Sequence, residues 1–297
     1  MSSTPPEIVY SAQPTFPQTV SGTETSPTRH TPDDPPWGLV AAILTWVASA
    51  AFIILVPNVV VIPYLAYRYQ GSTGITQEAL LADKTFVFLL VLGWIPAHLL
   101  TLAVIWAVAT KLGKYSFREV FGLSWSPNFG LWKSVVLAIP LFIIAWLIAS
   151  LFSTKPTDVD QILRSSRAAA LLLALLAVAT APLVEELIYR GLLYSALQRL
   201  TRRWIAVVVV TSMFAGLHVY QYRQNIGAIL SITILSLVLT TIRAQTGRLL
   251  PCFVIHLVFN GIQSVLIVLE PYLRTLFNLP QQPEVSGLLI FIRWHLN

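Results

Sequence analysis

Seven apolar runs dominate this chain, at approximately 38–62, 86–110, 131–152, 168–197, 204–221, 226–245 and 249–269. Each approaches or exceeds the roughly 20 residues that a helix rising about 1.5 Å per residue needs to cross a hydrocarbon core of about 30 Å. A backbone in lipid must satisfy its own hydrogen bonds, so runs of this kind fold as helices bundled against one another. The composition agrees, since 56% of residues are hydrophobic and 11% charged, against about a quarter charged in an ordinary soluble domain. The expected fold is all-α, a polytopic transmembrane bundle of seven or eight helices around an intramembrane polar cavity. The possible eighth is a shorter apolar stretch at 285–294, too short for an ordinary span, which could equally be re-entrant or interfacial.

Residues 1–36 hold eight Pro and twelve Ser or Thr and cannot bury a core, so they are expected to be a disordered tail preceding a transmembrane domain at 37–297. They lack the short apolar segment and small-residue cleavage site of a signal peptide. The net charge of +6 is scattered between the apolar runs, which speaks for topology rather than nucleic-acid binding. Lys111, Lys114, Arg118, Lys133, Arg199, Arg202, Arg203, Arg243 and Arg248 flank the even-numbered connections. The positive-inside rule then puts these and the N-terminus in the cytoplasm, with the chain in the cell membrane. Lys114 to Asn128, with Tyr115, Phe117, Phe121 and Trp125 among basic residues, is expected to be an amphipathic stretch at the membrane surface. The single cysteine, Cys252, excludes an internal disulfide and reads as packing.

Against this apolar background, Glu185 and Glu186 stand side by side in the fourth run with Arg190 four residues on. An ionisable residue inside a bilayer costs roughly 2.5–3.5 kcal/mol even on insertion scales, so such a cluster points to function. At helical spacing Glu186 and Arg190 pair on one face, while Glu185 is rotated by about 100° with Tyr189 beneath it. One carboxylate is thereby compensated and the other is free to act as a general base. Pro182, just ahead of the pair, removes a hydrogen bond to the carbonyl of Val178, so the helix can bend or open there. The fifth run carries His218 after Phe214, and the seventh carries His256 and Asn260 four apart on one face. Each histidine alone is ordinary packing, but three polar clusters on three spans converge on one cavity. His98, with no carboxylate or amide at helical spacing, reads as structural or as a secondary contact to that cavity.

Several intramembrane chemistries are absent. No H-E-x-x-H occurs, no Asp lies inside an apolar run, and no Ser has the G-x-S-x-G context. A proton-coupled transporter using Glu185 and the histidines as a relay is physically possible. No internal repeat or paired broken helix supports it.

E-E-x-x-x-R at Glu185–Arg190, F-x-x-x-H at Phe214–His218 and H-x-x-x-N at His256–Asn260, in this order on successive membrane helices, resemble the CPBP family. That family comprises CAAX prenyl endopeptidases and bacteriocin-processing or immunity proteins of the Abi type. The resemblance covers roughly residues 168–270 and implies an intramembrane endopeptidase with a cavity open to the cytoplasm, acting on a peptide or membrane-protein substrate at the lipid bilayer. It further implies that Glu185 and His218 activate a water while His256 and Asn260 stabilise the oxyanion, with Glu186 and Arg190 in support. A non-proteolytic scaffold or immunity protein of the same fold is the alternative, against which all four catalytic positions are retained. Glu185, His218 and His256 also make a possible two-His, one-carboxylate set for a divalent metal such as zinc. The family is described both as metalloprotease and as glutamate-type, and the lack of a sequence-local ligand pair favours chemistry without a metal.

Overall fold

All seven expected spans are helical in a computed structural model of the chain, which describes residues 30–72, 74–152, 158–223 and 225–278. The apolar stretch at 285–294 and residues 1–29 of the expected tail lie outside the described residues. Among those described, every element is a helix apart from two isolated bridges, Thr31–Asp34 and Ser126–Phe129. In chain order the helices are α1 (Leu39–Arg68), α2 (Gln77–Ala82), α3 (Lys84–Leu92), α4 (Trp94–Thr110), α5 (Phe117–Val120), α6 (Leu131–Leu151) and α7 (Asp158–Ser165). There follow α8 (Arg167–Ala179), α9 (Ala181–Glu186), a π-helix (Leu187–Leu193), α10 (Tyr194–Gln198), α11 (Arg203–Tyr222), α12 (Ile226–Thr246) and α13 (Leu250–Leu276).

Six helical stretches are long and apolar enough to cross a membrane, and the apolar part of α11 is a shorter one, Arg203–Val219. Their outward faces are themselves apolar: on α1, Val40, Leu44, Ile54, Leu55, Val59 and Ile62 are exposed. A helix that is hydrophobic all round is solvated by lipid or protein rather than water. The chain is an integral, multi-pass membrane protein.

The fourth span is not one helix. α8 ends at Thr180, and Pro182 sits in the first turn of α9, where a missing N–H costs least. The bend expected at Pro182 thus falls two residues earlier, because the proline opens a new helix instead of kinking an old one. The π-helix begins directly after Glu186, and at its far end the Tyr194 N–H bonds the Tyr189 carbonyl five residues back. Such widened turns are rare, and they occur frequently at functional sites.

Around this broken span, α1 and α4 pack on one side, while α12 and α13 pack against α6 and α13 also lies along α8. The main core encloses the π-helix, with Ile105, Phe121, Leu187, Leu192, Val210 and Phe214 buried together. Within the stretch after Lys114, Trp125 is exposed, whereas Phe121 is 1% exposed and packed on Trp37 and on Phe117.

Close approach of α1 to the junction of α3 and α4 depends on Gly93, where a Cβ would lie 2.5 Å from the Pro57 Cα. Gly93→Ala is expected to destabilise the protein by about 1–3 kcal/mol through overpacking. Thermal melting in detergent checks this, with Gly261→Ala as the control, since a Cβ at Gly261 meets nothing within 4 Å.

Candidate active site

The expected pair forms on the broken span: Arg190 Nη1 donates to Glu186 Oε1 at 2.9 Å, and both side chains are buried. A guanidinium with no access to water needs its donors filled. Here Nε donates to Thr240 Oγ1 at 3.2 Å, and Nη2 to Ser236 O and Oγ at 3.1 and 2.9 Å. The cation also lies 4.7 Å from the Phe214 ring centre, a cation–π contact in a dry setting.

His256 of α13 completes the cluster. Its Nδ1 lies 2.8 Å from Glu186 Oε1, and its Nε2 faces Glu185 Oε2 at 3.6 Å. One imidazole therefore bridges the two neighbouring carboxylates. Glu186 accepts from Arg190 and His256 through the same oxygen, which fixes both partners. Glu185, turned away by the helical step, keeps 27% of its side chain exposed.

The other two expected residues stand differently. His218 Nδ1 bonds the Phe214 carbonyl at 2.8 Å, so the accepting nitrogen is Nε2. His218 makes no ion pair with either glutamate among the described residues. Its ring tilts against Phe214 at 4.8 Å and stacks towards Tyr222, while Phe214 also meets His256 and Tyr189. Phe214 is thus the common wall between the two histidines. Asn260 donates from Nδ2 to the Ala177 carbonyl at 2.9 Å, in the last turn of α8, where carbonyls lack helical partners. Ser264, one turn further, reaches the Ala174 carbonyl at 3.3 Å. His98, buried on α4, bonds Thr180 Oγ1 at 2.8 Å and so touches the break ahead of the glutamates. Tyr189 OH accepts from Trp46 Nε1 of α1 at 3.0 Å.

Sequence reasoning missed Ser236, Thr240 and Arg243, which hold the fourth span from α12. Their spacing of four and then three residues is a polar stripe on an apolar helix, and that signal was available. Thr180 and Ser264 carried no such signal, because each acts on a carbonyl or ring that only the packing brings near.

A catalytic zinc needs three protein ligands, each about 2 Å from the ion. Glu185, His218 and His256 do not converge in that way. No group of three His, Cys, Asp or Glu among the described residues could hold a metal ion. With Nδ1 of His256 committed to Glu186, Nε2 is the nitrogen it presents on the Glu185 side.

An all-helical membrane bundle with a Glu–Arg–His network beside an accessible carboxylate is the class that fold and site define. Residues 167–262 match the family described as type II CAAX prenyl endopeptidase, Rce1-like. The matched segment runs from the start of α8 into α13 and contains all three motifs, so the resemblance to the CPBP and CAAX-protease family is shown over that segment. No curated protein and no solved structure matches the chain.

Breaking the buried pair by Arg190→Ala is expected to cost about 3–5 kcal/mol, because the buried Glu186 loses its guanidinium partner. Thr240→Ala, which removes the acceptor of one charge-assisted bond and leaves Arg190 Nε unsatisfied, is expected to cost about 1.5–3 kcal/mol. Detergent melting curves of the two variants check the ratio.

Proposed function

We propose that the protein is an intramembrane endopeptidase that hydrolyses a peptide bond near the membrane surface, on a CAAX-type or related membrane or leader peptide. The observation that carries this reading is the His256 imidazole held between Glu186 at 2.8 Å and Glu185 at 3.6 Å. A carboxylate that fixes one imidazole nitrogen and leaves the other aimed at the reaction centre is the orienting arrangement of hydrolytic triads.

In this mechanism Glu185, partly exposed, takes a proton from water as the water oxygen bonds to the scissile carbonyl carbon. His218 assists through Nε2, since its Nδ1 is occupied by the Phe214 carbonyl. The carbonyl oxygen becomes an oxyanion and accepts hydrogen bonds from His256 Nε2, protonated, and from the Asn260 amide hydrogen not used on Ala177. The proton on Glu185 passes to the amide nitrogen as the C–N bond breaks. Glu186 and Arg190 touch no substrate and hold His256 in place.

We assign the chain to the cell membrane with its N-terminus cytoplasmic, on the Lys and Arg bias of its connections. The site would then open to the cytoplasm, where prenylated or leader-bearing substrates are met.

Purified protein in bilayers is expected to cleave a membrane-proximal peptide, with turnover lowered by at least about 100-fold in Glu185→Gln and His256→Ala. Glu185→Gln should keep its helical circular dichroism and melting temperature, being partly exposed and outside the buried pair. Equal turnover in the wild type and in Glu185→Gln rejects Glu185 as the base, and no cleavage by the wild type returns the chain to the scaffold or immunity reading. Full activity after exhaustive chelation is the expected metal result, checked by elemental analysis of the same sample.

A further inference from the structure

Residues 30–36, the end of the stretch expected to be a disordered tail, lie with Trp37 against the bundle where α10 and α12 end. We infer that they form a strap that holds the π-helix behind the glutamate pair, with Trp37 and Asp33 as positioning residues. The consequence for turnover rests on the proteolytic reading above; the mechanical role does not.

Trp37 is 2% exposed, and its indole N–H donates to the Leu192 carbonyl at 3.1 Å, near the end of the π-helix. Its ring packs on Phe121 at 5.4 Å. Phe121 in turn fills the space beside Gly191, where a Cβ would lie 2.6 Å from the ring. Two aromatic rings from outside the family-matched segment therefore seat on consecutive π-helical residues.

The polar half of the strap clamps the neighbouring helix ends. Arg243, buried on α12, donates from Nη2 to the Pro32 carbonyl at 2.9 Å and to Ser195 Oγ at 3.0 Å. Its Nη1 lies 3.4 Å from Asp33 Oδ1, which also accepts from Gln198 Nε2 at 3.0 Å. Arg199 donates to the Pro35 carbonyl at 3.1 Å. α10 and α12 are thus tied through the strap, and α12 is the helix whose Ser236 and Thr240 receive Arg190.

A π-turn is rare and needs support from its surroundings. If it reverted to α, one flank would rotate by about 100° against the other. That rotation would carry Arg190 away from Ser236 and Thr240, or Glu186 away from His256. The strap opposes it by fixing the Leu192 carbonyl directly and, through Arg243, Ser195 just beyond the end of the π-helix.

The test uses the full-length protein in bilayers. Trp37→Phe keeps a ring against Phe121 and deletes the donor to Leu192, while Asp33→Ala alters an exposed side chain and leaves the buried ring in place. Amide hydrogen exchange of residues 187–193 is compared with that of α6, and kcat and KM are measured on a peptide that the wild type cleaves. Exchange in 187–193 is expected to rise about fivefold in Trp37→Phe, the size of one net hydrogen bond, with α6 unchanged. In that variant kcat is expected to fall about tenfold with KM unchanged, because the reacting groups are displaced while the substrate contacts remain. Asp33→Ala should give the same pattern more weakly, and its exchange comparison decides the matter if Trp37→Phe does not fold. Unchanged exchange in 187–193, or an equal rise in α6, overturns the strap, as does unchanged kcat in a variant whose π-helix has loosened. If the wild type cleaves no peptide offered, the proteolytic reading fails, and the exchange comparison alone upholds or overturns the strap.

Discussion

A single carboxylate oxygen, Glu186 Oε1, receives both the Arg190 guanidinium and the His256 imidazole, buried from solvent. Burying an ion costs several kcal/mol even after the surroundings relax, so such a charge survives only where its partners are all in position. Those partners come from separate helices: Arg190 from the π-helix, Ser236 and Thr240 from α12, His256 from α13, with Phe214 of α11 as the wall. Apolar association offers little guidance between helices already in lipid, because lipid tails are as apolar as leucine. The polar cluster supplies what the apolar faces lack, namely a register in which the buried Glu186 and Arg190 are paired.

The broken fourth span makes that register possible. Irregular backbone at membrane depth is tolerated where protein encloses it, and here each loose end has a keeper. Asn260 takes the Ala177 carbonyl, His98 reaches Thr180, and Trp37 takes the Leu192 carbonyl. The result is a short rigid segment, α9, that presents two successive glutamates in directions a helical step apart. One points into the charge cluster and the other toward accessible volume. Their adjacency in the chain is what gives them different surroundings.

Much of this was legible because it is local. Seven spans follow from apolar runs of sufficient length, and the Glu186–Arg190 pair follows from a separation of four on a helix. Glu185, His218, His256 and Asn260 were expected to converge from their setting in apolar runs; His256 meets Glu185 directly and His218 does not, and counting along straight helices did not bring Glu185 and His218 to one depth. Glu185 lay about 26 Å along a straight helix and His218 about 21 Å from the other side. No straight helix exists there, since the chain breaks at Thr180 and widens after Glu186, and neither event has a sequence mark beyond Pro182. The same limit explains Asn260, whose expected role as a free donor ignored the orphan carbonyl that the break leaves beside it. It explains residues 30–37 as well: their Pro-rich composition signals poor self-packing, but their hydrogen-bond partners include Leu192, Gln198, Arg199 and Arg243, more than 150 positions away. Composition reports what a segment can bury by itself, not what another part of the chain offers it.

Phe214 separates the two environments that the proposed chemistry requires. Its face carries the Arg190 cation at 4.7 Å, while His218 and His256 approach it at 4.8 and 6.3 Å. An aromatic ring binds a cation through its quadrupole without offering a hydrogen bond or admitting water, so the side with Glu186 stays dry. A buried carboxylate whose Oε1 accepts from both Arg190 and His256 is a good anchor for an imidazole. Glu185, with over a quarter of its side chain accessible, has the opposite properties: water can reach it, and His256 Nε2 is near without claiming it in a hydrogen bond. In the proposed mechanism the base must exchange protons with water and the anchor must not. Two identical side chains one residue apart can divide that work only if the helix turns one of them behind the ring.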